Sequence, residues 1–566
     1  MSLLLTEIPQ AVNNMMEFFL SAARAWQNYC DVKSLFTGIE LTREQMALVL
    51  QYEEQMLING SAGSGKSITL LYKLLKLMEQ EHKRQRILYL SFSKTLIDDA
   101  KKRVKDSPIY DKVRDKHELH MLTFHGMAYR MLKEAGFVIK PYPSSIRNIK
   151  EHESTLLNRV NVMREQFMSS DEYGQLSSQE RFFSTQNGTF LLEEFLWMKA
   201  NGYVNKKDYL EVERTGRSHN PRLTKAQRNT IYIVFEEYCR WMEERFHRDL
   251  DMEDYALLLL KNREHIPRTM YYDYIFVDEV QDLQPMQIKA LVQYTNKSIV
   301  LSGDPKQRIY KRTPHTYANL GLQLQGRRNR TLTKNFRSTK QIMTLANAIN
   351  FDDVQNDRLD AVDFVKEGDR PEIRFYSSDN EMHRYLVQEI KNRLSEDPGC
   401  SIAVIHRYEE ELHRRVAPPV QSALARSFDL ITTERYSARF NYKSAKKPVF
   451  FTDAYSVKGL EFDYVFILQF DSFHYPNKKK IEDLNKLAEN KKSEIYERDY
   501  NTILNDEKKV LYVAITRARK KVVLLWVAEN ELKVSPFIRN FSCEDYEAYG
   551  LNKNNLLVVL TRLEGK

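Results

Sequence analysis

Gly60-Ser61-Ala62-Gly63-Ser64-Gly65-Lys66-Ser67 follows directly on the apolar run Met56-Leu57-Ile58. It leads directly into a stretch with Leu70, Leu71, Leu74, Leu75 and Met78 on one helical stripe. The string has the form G-x-x-x-x-G-K-S, and its position between a strand and a helix says more than the string itself. Glycines let the backbone of such a loop wrap a phosphate, while the helix N-terminus offers unsatisfied N–H groups and the positive end of its dipole. Lys66 then reaches the β- and γ-phosphates and the Ser67 hydroxyl ligates Mg2+. The alternative, a Gly-rich turn without a ligand, leaves these flanks unexplained.

Further along, Tyr274-Ile275-Phe276-Val277 ends in Asp278-Glu279-Val280-Gln281-Asp282. A buried strand that delivers two adjacent carboxylates at its C-terminal edge complements a phosphate loop. Asp278 is placed to hold Mg2+ through water and Glu279 to orient and deprotonate an attacking water. Standing alone, an acidic cluster of this kind is a solvated loop; after the loop at 60–67 it reads as catalytic.

Working outward, short apolar runs recur between helical stretches: Ile87 to Leu90, Ile299 to Leu301, Ile402 to Ile405, Val449 to Phe451, Tyr464 to Leu468 and Val522 to Trp526. Continuous apolar strands separated by helices indicate parallel sheet buried on both faces. The expected architecture is therefore α/β, with two such sheets. Between about 127 and 264 the pattern gives way to amphipathic helix. Leu223-Thr224-Lys225-Ala226-Gln227 opens a helix with a Thr224/Gln227 capping box, followed by Ile231, Val234, Phe235, Tyr238, Trp241 and Met242 at helical spacing. The expected division is a first sheet domain from 38–126 and 265–325, a helical insertion at 127–264, and a second sheet domain at 326–566. Residues 1–37 read as a helical extension whose stripe of Ile8, Val12, Met15, Phe19, Ala22 and Trp26 suits core packing. The Lys-rich stretch Asn477 to Lys492 reads as a solvated helix or loop.

The chain has 566 residues with only 18 Gly and 16 Pro, a share about half of average usage, which excludes collagen-like and low-complexity chains. The excess of 86 Lys+Arg over 77 Asp+Glu gives a net charge of +9. That favours a polyanionic partner, although a solvated lysine-rich surface gives the same sum. Cys30, Cys239, Cys400 and Cys543 lie far apart with no C-x-x-C spacing, which argues against a disulfide framework or zinc ribbon and for a reducing compartment. The longest apolar run, Val522 to Ala528, falls far short of the ~20 residues that span a bilayer. A soluble, cytoplasmic protein is the expectation.

Further strings complete the pattern: Leu301-Ser302-Gly303-Asp304-Pro305-Lys306-Gln307, Asn335-Phe336-Arg337-Ser338, Ser456-Val457-Lys458-Gly459-Leu460-Glu461-Phe462-Asp463, and Val513-Ala514-Ile515-Thr516-Arg517-Ala518-Arg519. Upstream stand Leu41-Thr42-Arg43-Glu44-Gln45, Ser91-Phe92-Ser93-Lys94 and Thr123-Phe124-His125-Gly126. In this order and spacing the series resembles the superfamily 1 helicases of the UvrD/Rep/PcrA group, from about residue 41 to 526. The resemblance implies two RecA-like domains and a DNA-helicase ATPase. It also implies a nucleotide site in which Gly60, Ser61, Ala62, Gly63, Ser64, Gly65, Lys66 and Ser67 hold the phosphates.

Carried over position by position, Gln45 matches the glutamine that reads the adenine edge, beside its capping-box role with Thr42. Phe336 matches the aromatic that stacks on adenine, and Gln307 the γ-phosphate sensor. Arg337 and Arg517 match the two arginines that clamp the γ-phosphate, and Glu461 the carboxylate near ribose and triphosphate. Phe92, Thr123, His125 and Tyr310 match strand-binding positions, where base stacking contributes about 1 to 3 kcal/mol per base. Arg214, Arg217 and Arg222 in the insertion suit either phosphate contact or a solvated loop.

Three positions depart from the family. Ile68 stands where an arginine commonly sandwiches the adenine, implying looser base discrimination. Arg312 replaces the stacking tryptophan after Tyr310, and Tyr455 replaces a histidine; a guanidinium still stacks on a base, so an altered strand grip is implied. Only about 45 residues separate the Ser401-Ile402-Ala403-Val404-Ile405 strand from the next string, near the ~40-residue floor for independent folding. The family's accessory domain at this point is expected to be missing or reduced.

Three functions follow. The first is an ATP- and Mg2+-dependent translocase or helicase on single-stranded DNA, moving 3′ to 5′ by resemblance. The second is a helicase-like ATPase subunit that senses DNA and regulates a partner nuclease, as in bacterial defence. The third, an RNA polymerase remodelling ATPase like the HelD group, is disfavoured because 37 residues are too few for that group's long N-terminal arm.

Overall fold

A computed structural model describes residues 35–36, 40–92, 94–143, 146–178, 180–181, 188–212, 223–246, 249–307, 315–352, 363–364, 366–408, 418–432, 448–454, 457, 460–487 and 494–551. The first sheet comprises β1 (Gln55–Gly60), β2 (Arg86–Leu90), β3 (Glu118–Leu122), β4 (Tyr272–Val277), β5 (Thr295–Gly303) and β6 (Asn329–Leu332), in the order β3-β2-β4-β5-β1-β6. Every pairing in it is parallel. β7 (Lys334–Asn335) and β8 (Asp363–Phe364) form a short parallel pair. The second sheet comprises β9 (Glu372–Tyr376), β10 (Ile402–His406), β11 (Asp429–Thr432), β12 (Pro448–Asp453), β13 (Phe462–Ile467), β14 (Ala518–Val527) and β15 (Glu547–Tyr549). Its order is β11-β12-β10-β13-β14-β9-β15, again all parallel.

Each sheet is buried on both faces, as its apolar strands require. On β2, Ile87 and Tyr89 enter one core while Leu88 and Leu90 enter the other. On β10, Ala403 and Ile405 separate in the same way from Ile402 and Val404. Around the first sheet lie α1 (Arg43–Leu50), α2 (Lys66–Gln80) and α3 (Lys94–Lys105). Leu35 and Phe36, the described part of the N-terminal extension, are buried there, with the Phe36 ring 4.7 Å from Tyr72. The stripe from Ile8 to Trp26 lies outside the described residues.

The helical insertion is smaller than its sequence boundaries. α4 (Phe124–Glu134) and α8 (Asp254–Lys261) flank it, but their apolar residues, among them Met127, Met131, Tyr255 and Leu259, pack on the first sheet. A separate core forms between α5 (Ile146–Met168), α6 (Gly188–Asn201) and α7 (Lys225–Phe246), around Phe195, Trp197, Tyr209 and Tyr238. The Thr224/Gln227 capping box is present in both directions. β6 pairs with β1, so the first sheet continues past residue 326 to Leu332. Its polar sequence, three of four residues exposed, hides it from an apolar-run reading.

The second sheet is covered by α9 (Lys340–Asn347), α10 (Asp379–Glu396), α11 (Pro419–Ala425), α12 (Lys478–Leu487) and α13 (Glu494–Ile515). Between β10 and β12, the described residues supply only α11 and the edge strand β11. Among the described residues, no helix is long and apolar enough to cross a membrane.

Lys478–Leu487 of the Lys-rich stretch form α12, and one of its lysines is not merely solvated. Lys480 Nζ lies 2.8 Å from Glu507 on α13, whose other oxygen pairs at 2.9 Å with Arg407 just after β10. Arg407 and Glu507 are almost fully buried. Burial alone would raise the Glu507 pKa, but the two cations outweigh it and hold the carboxyl at about 2. Because Glu507 binds its proton less readily folded than unfolded, this contribution is complete above the usual 4.5 and is lost as pH falls towards about 2. Glu507→Gln is expected to remove about 3 to 5 kcal/mol at neutral pH by leaving the buried Arg407 cation uncompensated. It should also flatten the acid limb of the stability profile between those values, measured by urea unfolding against pH.

Candidate nucleotide site

The phosphate loop joins β1 to α2. Gly63 and Gly65 take φ of 86° and 81°, left-handed conformations that cost glycine little. Gly65, at the N-cap of α2, provides no side-chain cap, so the first helical N–H groups remain available to an anion. Lys66 Nζ donates to the Gly60 and Ser61 carbonyls at 2.8 and 3.1 Å. The Ser61 and Ser64 hydroxyl oxygens are buried without a hydrogen-bond partner. Orphaned donors, left-handed glycines and an uncapped helix end fit a bound phosphate.

β4 delivers Asp278, 3% exposed, beside that loop. Its carboxylate accepts from Tyr89 Oη at 3.1 Å and from the Ser67 hydroxyl. Burial, then the neighbouring Glu279, raise the Asp278 pKa to about 6. Ser67 and Asp278 offer hard oxygen donors in contact with one another, the donor type Mg2+ takes, and these two residues would hold it. Bound there, the ion would neutralise phosphate charge.

A relay of side chains leads from the acids to the second sheet. Glu279, at a φ of 55° that non-glycine residues adopt at a cost, accepts from Gln281 Nε2. Gln281 Oε1 accepts from the Asp304 backbone N–H at 3.1 Å, and Asp304 Oδ2 accepts from Gln307 Nε2 at 3.0 Å. Gln307 Oε1 in turn accepts from Arg517 Nη2 at 3.0 Å. Arg517 lies between α13 and β14 and is 2% exposed. Its guanidinium is braced on the Val513 and Leu460 carbonyls. Burial, and next the nearby Arg337, lower its pKa to about 10, so it remains cationic at neutral pH.

The segment at 335–338 seals the same cleft. Asn335 Nδ2 donates to the Ala62 carbonyl, and the Phe336 N–H to the Gly63 carbonyl at 3.0 Å. Arg337 forms an ion pair with Glu461. Lys66, Ser67, Phe336, Arg337, Glu461 and Arg517 all line one cleft of about 950 Å3 between the sheets.

Gln45 is placed differently from these. It completes the capping box with Thr42, donates its Nε2 to the Ser64 carbonyl at 3.1 Å, and is 3% exposed behind the loop. Ile68 does line the cleft. Of the strand-binding candidates, Phe92 stands 43% exposed just beyond β2. Thr123 caps α4 by accepting from the Gly126 N–H. His125 is hydrogen-bonded to the Met252 carbonyl at 2.8 Å and stacked on Tyr142, and burial lowers its pKa. Tyr310, Arg312, Tyr455, Arg214, Arg217 and Arg222 lie outside the described residues. Tyr89, Gln281, Asp304, Asn335 and Arg519 carry contacts to which the sequence reading assigned no role; all but Tyr89 lie within quoted strings, but only tertiary contact reveals their partners.

A phosphate loop with adjacent acids on one parallel sheet, facing arginines from a second, defines a two-sheet P-loop nucleotide-binding protein. Family models place it further. The UvrD/REP helicase N-terminal domain matches residues 41–313, the UvrD-like helicase C-terminal domain matches 440–529, and the viral superfamily 1 RNA helicase core domain matches 253–400. The chain belongs to the superfamily 1 UvrD/PcrA-like helicases. It is 22% identical to the ATP-dependent DNA helicase PcrA of Leuconostoc citreum, over 62% of this chain and 44% of the relative. It is 25% identical to DNA helicase II of Escherichia coli, over 64% and 47%. The chain thus spans about half the length of the curated relatives it matches. A solved C-terminal domain of a possible DNA helicase from Lactobacillus plantarum aligns over 38% of this chain and 98% of that one, at 19% identity and a TM-score of 0.25.

At Gly63 the phosphate loop and the Arg337 segment approach each other closely. A Cβ there would fall 2.5 Å from Arg337 Cβ, on a backbone with φ of 86°. Gly63→Ala is expected to weaken binding of a nucleoside triphosphate at least about tenfold, or 1.4 kcal/mol, measured by titration with a fluorescent analogue.

Proposed function

We propose that this chain hydrolyses ATP in the cleft between its sheets and uses the cycle to translocate along single-stranded DNA, 3′ to 5′, opening duplex as a helicase. The observation that carries the reading is the 3.0 Å contact of Arg517 Nη2 with Gln307 Oε1, which ties a second-sheet cation to the first-sheet acids. Lys66 and the uncapped end of α2 bind the β- and γ-phosphates, with Ser67 and Asp278 as the Mg2+ ligands. Glu279 orients the attacking water and accepts its proton. Arg337 and Arg517 neutralise charge that develops on the γ-phosphoryl group, an effect worth about 10³ to 10⁵ in rate for an arginine finger.

The coupling follows from which half holds which group. Phosphate binding draws the arginine-bearing sheet towards the loop, and hydrolysis with release of phosphate relaxes it, so each turnover becomes a relative motion of two domains. If the surfaces gripping the strand alternate in affinity, the motion becomes travel along it. The net charge of +9 and the exposed Phe92 ring support a strand-binding surface that combines backbone attraction with base stacking. Family membership supports DNA as the polymer and, with four widely spaced cysteines that suit a reducing interior, the cytoplasm as the compartment.

Steady-state ATP hydrolysis with and without single-stranded DNA tests the proposal. Strong stimulation of the purified chain is expected; stimulation that requires a co-purifying protein would favour the nuclease-regulating subunit instead. Lys66→Ala is expected to abolish hydrolysis. Arg517→Ala should retain ATP binding while slowing turnover at least about a hundredfold. Small, equal losses in both variants would overturn the site assignment.

A further inference from the structure

We propose that Arg519 is a positioning residue of the nucleotide site, holding the Glu461 carboxylate and, through it, the Arg337 guanidinium. The inference rests on the nucleotide reading above and assigns a task to an arginine outside it. Arg519 is the second residue of β14. Its Nη2 and Nε donate to Glu461 Oε2 at 2.8 and 3.2 Å, while Glu461 Oε1 pairs with Arg337 Nη2. One carboxylate therefore serves two guanidiniums, one oxygen to each.

The main chain isolates this task. The Ser338 hydroxyl donates to the Ala518 carbonyl at 2.6 Å, and the Thr339 N–H to the Arg519 carbonyl at 3.3 Å. The strand that carries Arg519 thus anchors the segment that carries Arg337 through backbone carbonyls, which no side-chain substitution removes. What the Arg519 side chain adds is its grip on Glu461. Arg519 and Glu461 side chains are 43% and 26% exposed, and ion pairs at that exposure contribute little to folding. Orientation is another matter. A free arginine side chain carries about 2 kcal/mol of rotamer entropy, and small displacements of a catalytic group reduce rate steeply. Glu461 also supplies the negative charge that allows Arg337 to stand beside the cationic Arg517, whose surroundings register both residues. All four side chains line the same cleft.

The test measures kcat and KM for ATP, with thermal midpoints, on the full chain as wild type, Arg519→Ala, Arg519→Lys, Arg337→Ala and the Arg519→Ala/Arg337→Ala double variant. The expected result is a fall in kcat of about tenfold for Arg519→Ala, with KM and thermal midpoint unchanged and partial recovery in Arg519→Lys. In the Arg337→Ala background, Arg519→Ala should cost nothing further, because the residue it positions is gone. An Arg519→Ala kcat within about twofold of wild type, losses that multiply in the double variant, or a loss explained by a lowered thermal midpoint would each overturn the inference alone. A wild-type chain that hydrolyses no ATP would overturn the nucleotide reading, and this inference with it.

Discussion

The guanidinium of Arg517 sits almost without solvent between two parallel sheets, and the architecture around it serves to keep a positive charge there. Two main-chain carbonyls and the Gln307 amide oxygen receive its N–H groups. Desolvation that would be prohibitive for a bare cation is offset by these dipoles and by Glu279 and Glu461 nearby. A cation held in this way suits the role proposed for Arg517, since electrostatic stabilisation of a developing negative charge is strongest in a low-dielectric site.

From that constraint the polar relay takes its meaning. Glu279, Gln281, Asp304, Gln307 and Arg517 form a continuous line of hydrogen bonds from the acid edge of β4 to the start of β14. Each member is hydrogen-bonded to the next, so the acids of the first sheet and the arginine of the second share one polar network. The same logic extends to Glu461, which orders two further arginines.

Much of this was legible in the sequence, for identifiable reasons. The eight apolar runs all fall on strands that are sandwiched between helices, where continuous hydrophobicity is required. The strands that escaped notice are mostly edges: β3, β6, β11 and β15 are the outermost members of their sheets, and Asn329–Leu332 is too polar to announce itself. The phosphate loop and the Asp278-Glu279 pair were legible because strand, turn and helix are contiguous in sequence. Gln45 was legible as a cap; that its amide also ties α1 to the Ser64 carbonyl depends on a fold partner 19 residues away. Thr123 and His125 were legible as a string, whereas the attachment of His125 to Met252 needs a partner on the far side of the insertion.

The passage from one sheet to the other has a mechanical consequence. Leu332 is locked into β6 by pairing with Gly60, and Ser338 is held to the Ala518 carbonyl. The six Cα–Cα steps from Leu332 to Ser338 stretch to about 20 Å at most, and Asn335 and Phe336 are already pinned to the loop along the way. So short a leash permits swivelling but forbids wide separation, which confines the halves to pivoting about the very spot where the triphosphate would be gripped.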